Sequence, residues 1–332
     1  MADRPETPAS LGEFGRIDRY LRPLAAGFEG ARGLRDDAAL LRTPDGTSLV
    51  MTTDTLVAGV HFVGDEAPGD IAARSERLTR SALAAMAATP WCYGLNLALP
   101  TSVDDRWVEA FCAGLGDEQR HFGLHLAGGD SVATSGPITI TLTAYGLVDD
   151  GRALHRDGAS AGDEVWVSGT IGDGLLGLEA VRHHAFGPHA EYLIARYRRP
   201  EPRLKLARAL VGTATAALDV SDGLVADLGH LAEESGLSAV LECPAVPLSE
   251  AAAEALADAP ERLADLLTGG DDYELLFAAP PEGEAAVRSA AAASRTPVAR
   301  IGRLTAGRAG HVHALDGEGT PLTLARTGYR HG

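Results

Sequence analysis

The sequence alternates short apolar runs with longer segments of helical periodicity along most of its 332 residues. The clearest strand pattern is PITITLTAYGLV, residues 137–148, in which threonine alternates with branched or other apolar residues. This alternation is typical of a strand with one buried face. Helical spacing dominates residues 71–88 and 104–123. Because strand and helix patterns follow one another in turn, the sequence predicts an α/β fold.

The chain is long enough for two domains, and its hydrophobic content of 45% can fill their cores. The apolar periodicity stops between residues 148 and 165, where glycine, aspartate and arginine dominate. We therefore predict an N-terminal domain over 1–148 and a C-terminal α/β domain over 149–332. In the first domain we also expect strands at 37–43 and 48–57, and a short strand at 124–126 that runs into Gly128.

The net charge is −17, with 46 acidic and 29 basic residues and no Lys/Arg-rich run. This charge argues against sequence-independent binding to nucleic acid or to an anionic membrane. Cys92, Cys112 and Cys243 lack the spacing of a disulfide framework or a zinc site. The sequence shows no signal-peptide pattern and no apolar run of membrane-spanning length, so we expect a cytoplasmic protein.

Five acidic clusters, four of which contain glycine, serine or threonine, lie where we expect strands or turns to end. They are Arg35-Asp36-Asp37, Thr52-Thr53-Asp54, Gly128-Gly129-Asp130, Asp219-Val220-Ser221-Asp222-Gly223 and Gly269-Gly270-Asp271-Asp272. Turn formation or helix capping would explain any one of them alone. Carboxylates at this density repel one another unless cations neutralise them, and Mg²⁺ prefers such oxygen ligands together with substrate phosphates. The clusters therefore predict phosphate chemistry with magnesium.

The two common glycine-rich nucleotide motifs fit this chain poorly. No GxxxxGK[ST] loop is present. Residues 172–177 match GxGxxG and follow the strand-like run EVWVSG, which is the order of a dinucleotide-binding fold. That fold requires a second parallel strand ending in an acid, whereas the following stretch HAEYLIARYRRP has a helical pattern. We therefore regard dinucleotide binding as the weaker interpretation.

Several of these segments closely resemble the thiamine-monophosphate kinase family. The matching segments are GEFGRIDRYL, LRDDAALL, TTDTLVAGVHF, AGGDS, DVSDGLVADLGHL, GGDDYELLF and GYRHG, in family order from Gly12 to the C-terminus. The resemblance implies the two-domain fold of aminoimidazole-ribonucleotide synthetase-like proteins, with N-terminal sheets paired in a homodimer. It also implies ATP- and Mg²⁺-dependent phosphorylation of thiamine monophosphate to thiamine diphosphate. No protein nucleophile is expected, because phosphoryl transfer relies on positioning and charge neutralisation.

The resemblance also assigns roles to individual residues. The resemblance implies several Mg²⁺ ions, and the implied ligands are Asp37, Thr52, Thr53, Asp54, Asp130, Asp219 and Asp222. The implied ATP contacts are Gly129, Asp130, Arg156 and Ser221. The positions implied for thiamine phosphate are His61, Asp271 and Tyr329, since carboxylates and aromatic rings suit a cationic heterocycle.

The sequence departs from the family pattern at five positions of these motifs. Ala82 stands where the family has a metal-bridging aspartate, beside Thr79 in place of asparagine. Ala87 replaces a glycine that we expect to serve close packing, Arg35 replaces another glycine, and Asp271 replaces a glutamate. Two alternatives to the kinase therefore stay open. They are a catalytically impaired or non-catalytic homologue that binds nucleotide or thiamine phosphate, and a kinase of the same fold with another acceptor.

Overall fold

The computed structural model describes residues 11–183, 186–324 and 327–328. They form two compact units. The first unit contains the chain up to Arg42, Thr53–Glu76 and Trp91–Ala144. The second contains Thr43–Thr52, Arg77–Pro90 and the chain from Tyr145 onwards. Two segments of the N-terminal half therefore belong to the second unit, and the domain boundary at 148/149 stays a prediction.

The N-terminal half builds a four-stranded sheet. Its elements are α1 (Gly12–Arg16), which continues into irregular helical turns, β1 (Thr47–Val57), α2 (Pro68–Ala85), β2 (Thr89–Pro100), α3 (Asp105–Phe122), β3 (His125–Thr134) and β4 (Thr139–Asp149). The strand order is β1-β4-β2-β3, with β2 and β3 parallel. Helix α3 begins at Asp104, whose carboxylate accepts the Trp107 N–H, and ends at Gly123 in the left-handed conformation.

The C-terminal half builds a mixed six-stranded sheet with order β10-β7-β9-β5-β8-β6. Its strands are β5 (Glu164–Ser168), β6 (Ala216–Asp219), β7 (Ser238–Glu242), β8 (Leu275–Ala279), β9 (Val298–Thr305) and β10 (Val312–Leu315). Its helices are α4 (Asp173–His183), α5 (Ala190–Arg198), α6 (Leu204–Ala209), α7 (Leu224–Glu234), α8 (Glu250–Asp258), α9 (Leu263–Thr268) and α10 (Glu284–Ser294). Successive residues of β5, β6 and β8 enter two different core clusters, so these strands are buried on both faces.

Most of the predicted elements are confirmed, and the exceptions matter for the site. The strand at 137–148 is β4, and the helices at 71–88 and 104–123 are α2 and α3. The strand expected at 37–43 is wrong, because this stretch is irregular. The strand expected at 124–126 extends to Thr134 as β3. Asp54 and Asp130 consequently lie inside strands and not at strand ends.

The sequence contains no apolar run of membrane-spanning length. No helix in the described ranges is long and apolar enough to cross one.

Candidate active site

In the first unit, the structure brings Asp37, Gly129 and Asp130 to one pocket of about 260 Å³. The Asp130 carboxylate accepts the N–H of Ser131 at 2.8 Å, and Asp36 accepts that of Asp37 at 3.1 Å. The apolar part of the pocket lining includes Ile17, Leu21, Leu34, Leu95 and Leu126. The pocket therefore combines carboxylates with an apolar surface, and this combination suits a ligand that has both charged and apolar parts.

Gly129 is required by the contact between β2 and β3. It pairs with Leu95 in the parallel register and has φ +153°. A Cβ at this position would collide with the Leu95 carbonyl oxygen. Glycine therefore lets the two strands approach closely while Asp130 follows directly into the pocket.

Strand β1 separates the three residues of the Thr52-Thr53-Asp54 cluster. Successive side chains of a strand point to opposite faces, so Thr52 and Asp54 lie on one face and Thr53 on the other. The Thr53 Oγ1 lies 2.6 Å from the Thr143 Oγ1 on β4. The resemblance implies all three as metal ligands, but on the Asp54 side Thr53 can contribute only a main-chain oxygen.

His61 follows β1 in a tight turn. The ring Nδ1 of His61 accepts the main-chain N–H of Val57 at 3.1 Å, and the main-chain N–H of His61 donates to the Val57 carbonyl at 2.9 Å. Because Nδ1 accepts, the ring proton lies on Nε2. The turn therefore fixes the imidazole with a donor edge, which suits a phosphate or another acceptor.

In the second unit, the loop after β6 carries Asp219, Ser221 and Asp222. The Asp227 carboxylate accepts the N–H groups of Ser221, Asp222 and Gly223 at 3.0, 3.0 and 3.1 Å. Converging amides at a helix N-terminus commonly bind an external anion, but here an internal carboxylate occupies them. Burial, followed by the charges of Asp219 and Asp222, raises the pKa of Asp227 to about 8.

Asp219 lies in a half-buried position beside a second acidic residue. Burial, and more weakly the charge of Asp222, raise its pKa, whereas the Ser81 hydroxyl bound to it and the nearby Arg156 lower it. A bound cation would relieve this repulsion, so the pair Asp219 and Asp222 fits a Mg²⁺ site. Ala82 is the residue directly after Ser81 on α2. The family's missing aspartate would therefore stand next to a residue that binds Asp219.

The Gly270-Asp271-Asp272 bend is attached to this loop through the backbone. The Asp271 N–H donates to the Ser221 carbonyl at 2.9 Å, and the Tyr273 N–H donates to the Val220 carbonyl at 2.7 Å. A Cβ on Gly270 would collide with the Ser221 carbonyl, so only glycine permits this approach. The two acidic segments therefore form one assembly.

Asp272 explains why the GxGxxG stretch is not a dinucleotide site. Its buried carboxylate accepts the N–H of Gly172 at 2.9 and 3.1 Å and that of Gly174 at 2.9 Å. These are the amides that would face a pyrophosphate in a dinucleotide fold. Burial raises the pKa of Asp272 to about 8, although its amide bonds oppose the shift.

Glu274 binds two arginines close to this bend. It accepts Arg203 Nε at 2.6 Å, Arg196 Nη2 at 2.9 Å and the Ser168 hydroxyl at 2.5 Å. Burial by itself would raise its pKa, but Arg203 and Arg196 lower it below the usual range. Sequence reasoning missed Asp227, Asp272 and Glu274 as supports of the site. Asp272 belongs to one of the five acidic clusters, but the sequence does not distinguish its role from that of Asp271. The only signal for Asp227 and Glu274 is that an acidic residue interrupts an otherwise apolar stretch.

The candidate residues are thus grouped within each unit. Asp37, Gly129 and Asp130 share a pocket of the first unit, and the loop and bend of the second unit join Asp219, Ser221, Asp222 and Asp271. Tyr329 lies outside the described residues. Within the described ranges, no three His, Cys, Asp or Glu side chains converge on a position for a metal ion. Paired carboxylates suit Mg²⁺, which usually completes its coordination with water and substrate phosphates.

Comparisons with known proteins match both halves of the chain. Residues 35–148 match the family model for the AIR synthase related protein, N-terminal domain, and residues 160–314 match the C-terminal domain. The thiamine-monophosphate kinase of Caulobacter vibrioides is 41% identical over 323 residues, covering 96% of this chain and 91% of that protein.

Two solved structures have the same fold. Thiamine-monophosphate kinase from Stenotrophomonas maltophilia K279a has a TM-score of 0.79 and 38% identity, covering 87% of this chain and 91% of its own. AaThiL complexed with AMPPCP and TMP has a TM-score of 0.76 and 30% identity, covering 97% of both chains. The predicted two-domain α/β fold is therefore confirmed, and the chain belongs to the thiamine-monophosphate kinase family of AIR synthase-related proteins.

Proposed function

We propose that this protein phosphorylates thiamine monophosphate to thiamine diphosphate, with ATP as the phosphoryl donor and Mg²⁺ as the cofactor. One structural observation carries the proposal. The loop of Asp219 and Asp222 is joined by backbone hydrogen bonds to the bend of Asp271, so implied metal and substrate positions lie in one assembly. The identity of about 40% to thiamine-monophosphate kinases over nearly the whole chain supports it further.

The reaction is a direct transfer between two anions. A phosphate oxygen of thiamine monophosphate forms a bond to the γ-phosphorus of ATP, the bond to the β,γ-bridging oxygen breaks, and ADP leaves. Mg²⁺, when bound, would supply positive charge that offsets the repulsion between the two phosphates. The ligands we propose for several such ions are Asp37, Thr52, Thr53, Asp54, Asp130, Asp219 and Asp222.

The remaining residues bind and orient the substrates. The proposed ATP contacts are Gly129, Asp130, Arg156 and Ser221, with the Arg156 guanidinium offering two parallel donors to a phosphate. Because Asp227 already occupies the loop amides of residues 221–223, these amides do not serve as a phosphate cradle. We propose His61, Asp271 and Tyr329 for thiamine monophosphate.

We also propose a cytoplasmic homodimer. Leu49 and Met51 project from the same face of β1, and their side chains are 42% and 64% exposed. Exposed apolar side chains along a strand favour pairing with another chain. A second copy of this chain would cover them.

The first test measures thiamine diphosphate formation by the purified protein with MgATP and thiamine monophosphate. We expect turnover by the unmodified chain and none in EDTA. Ala82→Asp restores the family's carboxylate beside Ser81, so we expect it to lower the Mg²⁺ concentration for half-maximal rate. The exposed Ala253→Asp adds the same charge on α8 and should leave this concentration unchanged.

The same assay separates the alternatives. Ala82 is the residue that favours an impaired homologue, so the comparison with Ala82→Asp tests that interpretation directly. Turnover by Ala82→Asp alone would identify a kinase scaffold disabled at one metal position. Silence from both proteins would contradict the proposed reaction and point to another acceptor or to a binding role. The identity to thiamine-monophosphate kinases weighs against both alternatives.

A further inference from the structure

The bend that carries Asp271 contains a side-chain contact that none of the roles above uses. The Tyr273 hydroxyl donates to Oδ1 of Asp271 at 3.1 Å. The intervening Asp272 points inwards to the amides of Gly172 and Gly174. The chain thus turns so that the side chains of residues 271 and 273 are in contact, whereas the side chain of residue 272 points into the interior.

The backbone holds this contact in place. Asp271 and Tyr273 both adopt left-handed conformations, with φ of 73° and 51°. Such conformations are unfavourable for residues other than glycine and persist where the surrounding structure fixes them. Here the N–H groups of both residues are bound to the carbonyls of Ser221 and Val220. Strain of this kind clusters at functional sites.

The two side chains differ in how accessible they are. Tyr273 is only 9% exposed, so its ring is held by packing and its hydroxyl is a fixed donor. Asp271 is half-buried and remains accessible to a ligand. A fixed donor on one oxygen of an accessible carboxylate sets the direction in which the second oxygen faces.

We propose that Tyr273 is a positioning residue for the acceptor substrate. Its hydroxyl holds one oxygen of Asp271, and the other oxygen then receives the cationic heterocycle of the acceptor. This inference rests on the proposed function.

The test is Tyr273→Phe, which removes the hydroxyl and keeps the ring. We expect KM for thiamine monophosphate to rise roughly tenfold to a hundredfold, the range for losing a hydrogen bond to a charged group. The kcat and the KM for ATP should stay within about twofold. Thr215→Val is the control, because its hydroxyl also donates to a carboxylate, that of Asp163 at 2.7 Å, and Thr215 directly precedes β6, at the end opposite Asp219.

A double-mutant cycle with Asp271→Asn shows whether Tyr273 acts through Asp271. We expect Tyr273→Phe to add no further rise in KM once Asp271 is changed. Equal KM values for the unmodified chain and Tyr273→Phe would overturn the proposal, and so would a full additional rise in the double variant. A purely structural role would instead raise the KM for ATP equally or lower the melting temperature together with kcat.

Failure of the kinase activity itself would be seen separately, as absent turnover by the unmodified chain. Titration calorimetry with thiamine monophosphate, Mg²⁺ and a non-hydrolysable ATP analogue then decides the role of Tyr273. Weaker binding by Tyr273→Phe than by the unmodified chain supports the proposal. Equal binding, or no binding by the unmodified chain, overturns it.

Discussion

Two buried aspartates occupy main-chain amides in glycine-containing turns whose sequence pattern is typical of phosphate binding. Asp227 fills the amides of the loop before α7, and Asp272 fills the amides of Gly172 and Gly174 before α4. Converging amides at a helix N-terminus bind an acceptor oxygen, whether it comes from a ligand or from the protein. Each internal carboxylate therefore fixes a glycine-containing turn without any ligand, and the phosphate groups must be held by cations and side chains.

The buried Asp272 should make stability depend on pH. Its pKa of about 8 in the folded protein exceeds the ordinary 3.8, so the folded state binds the additional proton between these values. Its contribution is therefore fully present near pH 4 and is lost as the pH rises towards 8. We expect the free energy of unfolding, measured by urea denaturation in EDTA, to fall less steeply over this range for Asp272→Asn than for the unmodified protein. Equal slopes for the two proteins would contradict the assignment.

Two helices end in a left-handed residue that is not glycine. Ala87 after α2 has φ 57°, and the N–H groups of Ala87 and Ala88 donate to the carbonyls of Ala84 and Leu83. The family's glycine at this position therefore has a conformational role, in addition to the close packing expected from the sequence. Arg295 ends α10 in the same way, with φ 56°.

Arg295→Gly should stabilise the protein. The arginine side chain is exposed, so its removal costs few packing contacts. Glycine adopts the left-handed conformation without steric cost, and we therefore expect a gain of about 0.5–1 kcal/mol in unfolding free energy. Ala292→Gly, in the exposed interior of the same helix, should instead lower it by about 0.5–1 kcal/mol. Urea denaturation of both variants gives the comparison, and two changes of the same sign would refute the explanation.

The whole molecule combines a strongly acidic chain with an apolar strand face. At a net charge of −17, two copies repel each other at long range, so association depends on short-range apolar contact. Leu49 and Met51 offer that contact on β1. The net charge and the exposed strand together favour one defined interface over nonspecific association.

Met51→Asp should therefore disrupt the proposed homodimer. In a symmetric interface the carboxylate would be buried twice without a partner. We expect sedimentation velocity to give twice the 34.5 kDa chain mass for the unmodified protein and the single chain mass for the variant. Leu40→Asp is the control, because Leu40 is similarly exposed at 57% but lies outside the four strands. A dimeric Met51→Asp would exclude this face as the interface.

Local sequence patterns were sufficient to predict much of the secondary structure of this protein. The α/β class, helices α2 and α3 and strand β4 follow from apolar periodicity, which depends only on residues a few positions apart. The acidic clusters and the family likewise follow from short segments in a given order. The strand at 37–43 was mispredicted because its pattern is strand-like, yet strand structure requires a partner, and no described strand pairs with it.

The supports of the site were decided only by tertiary structure. Asp272 binds Gly172 across 100 positions of sequence, and the bend at Asp271 is fixed by carbonyls some 50 residues earlier. Thr53 and Asp54 lie on opposite faces because β1, which pairs with β4, continues through both residues. The sequence by itself determined which residues carry charge and how each segment folds locally. Only the folded chain decided which amides, carboxylates and hydroxyls meet, because these partners come from segments that are distant in sequence.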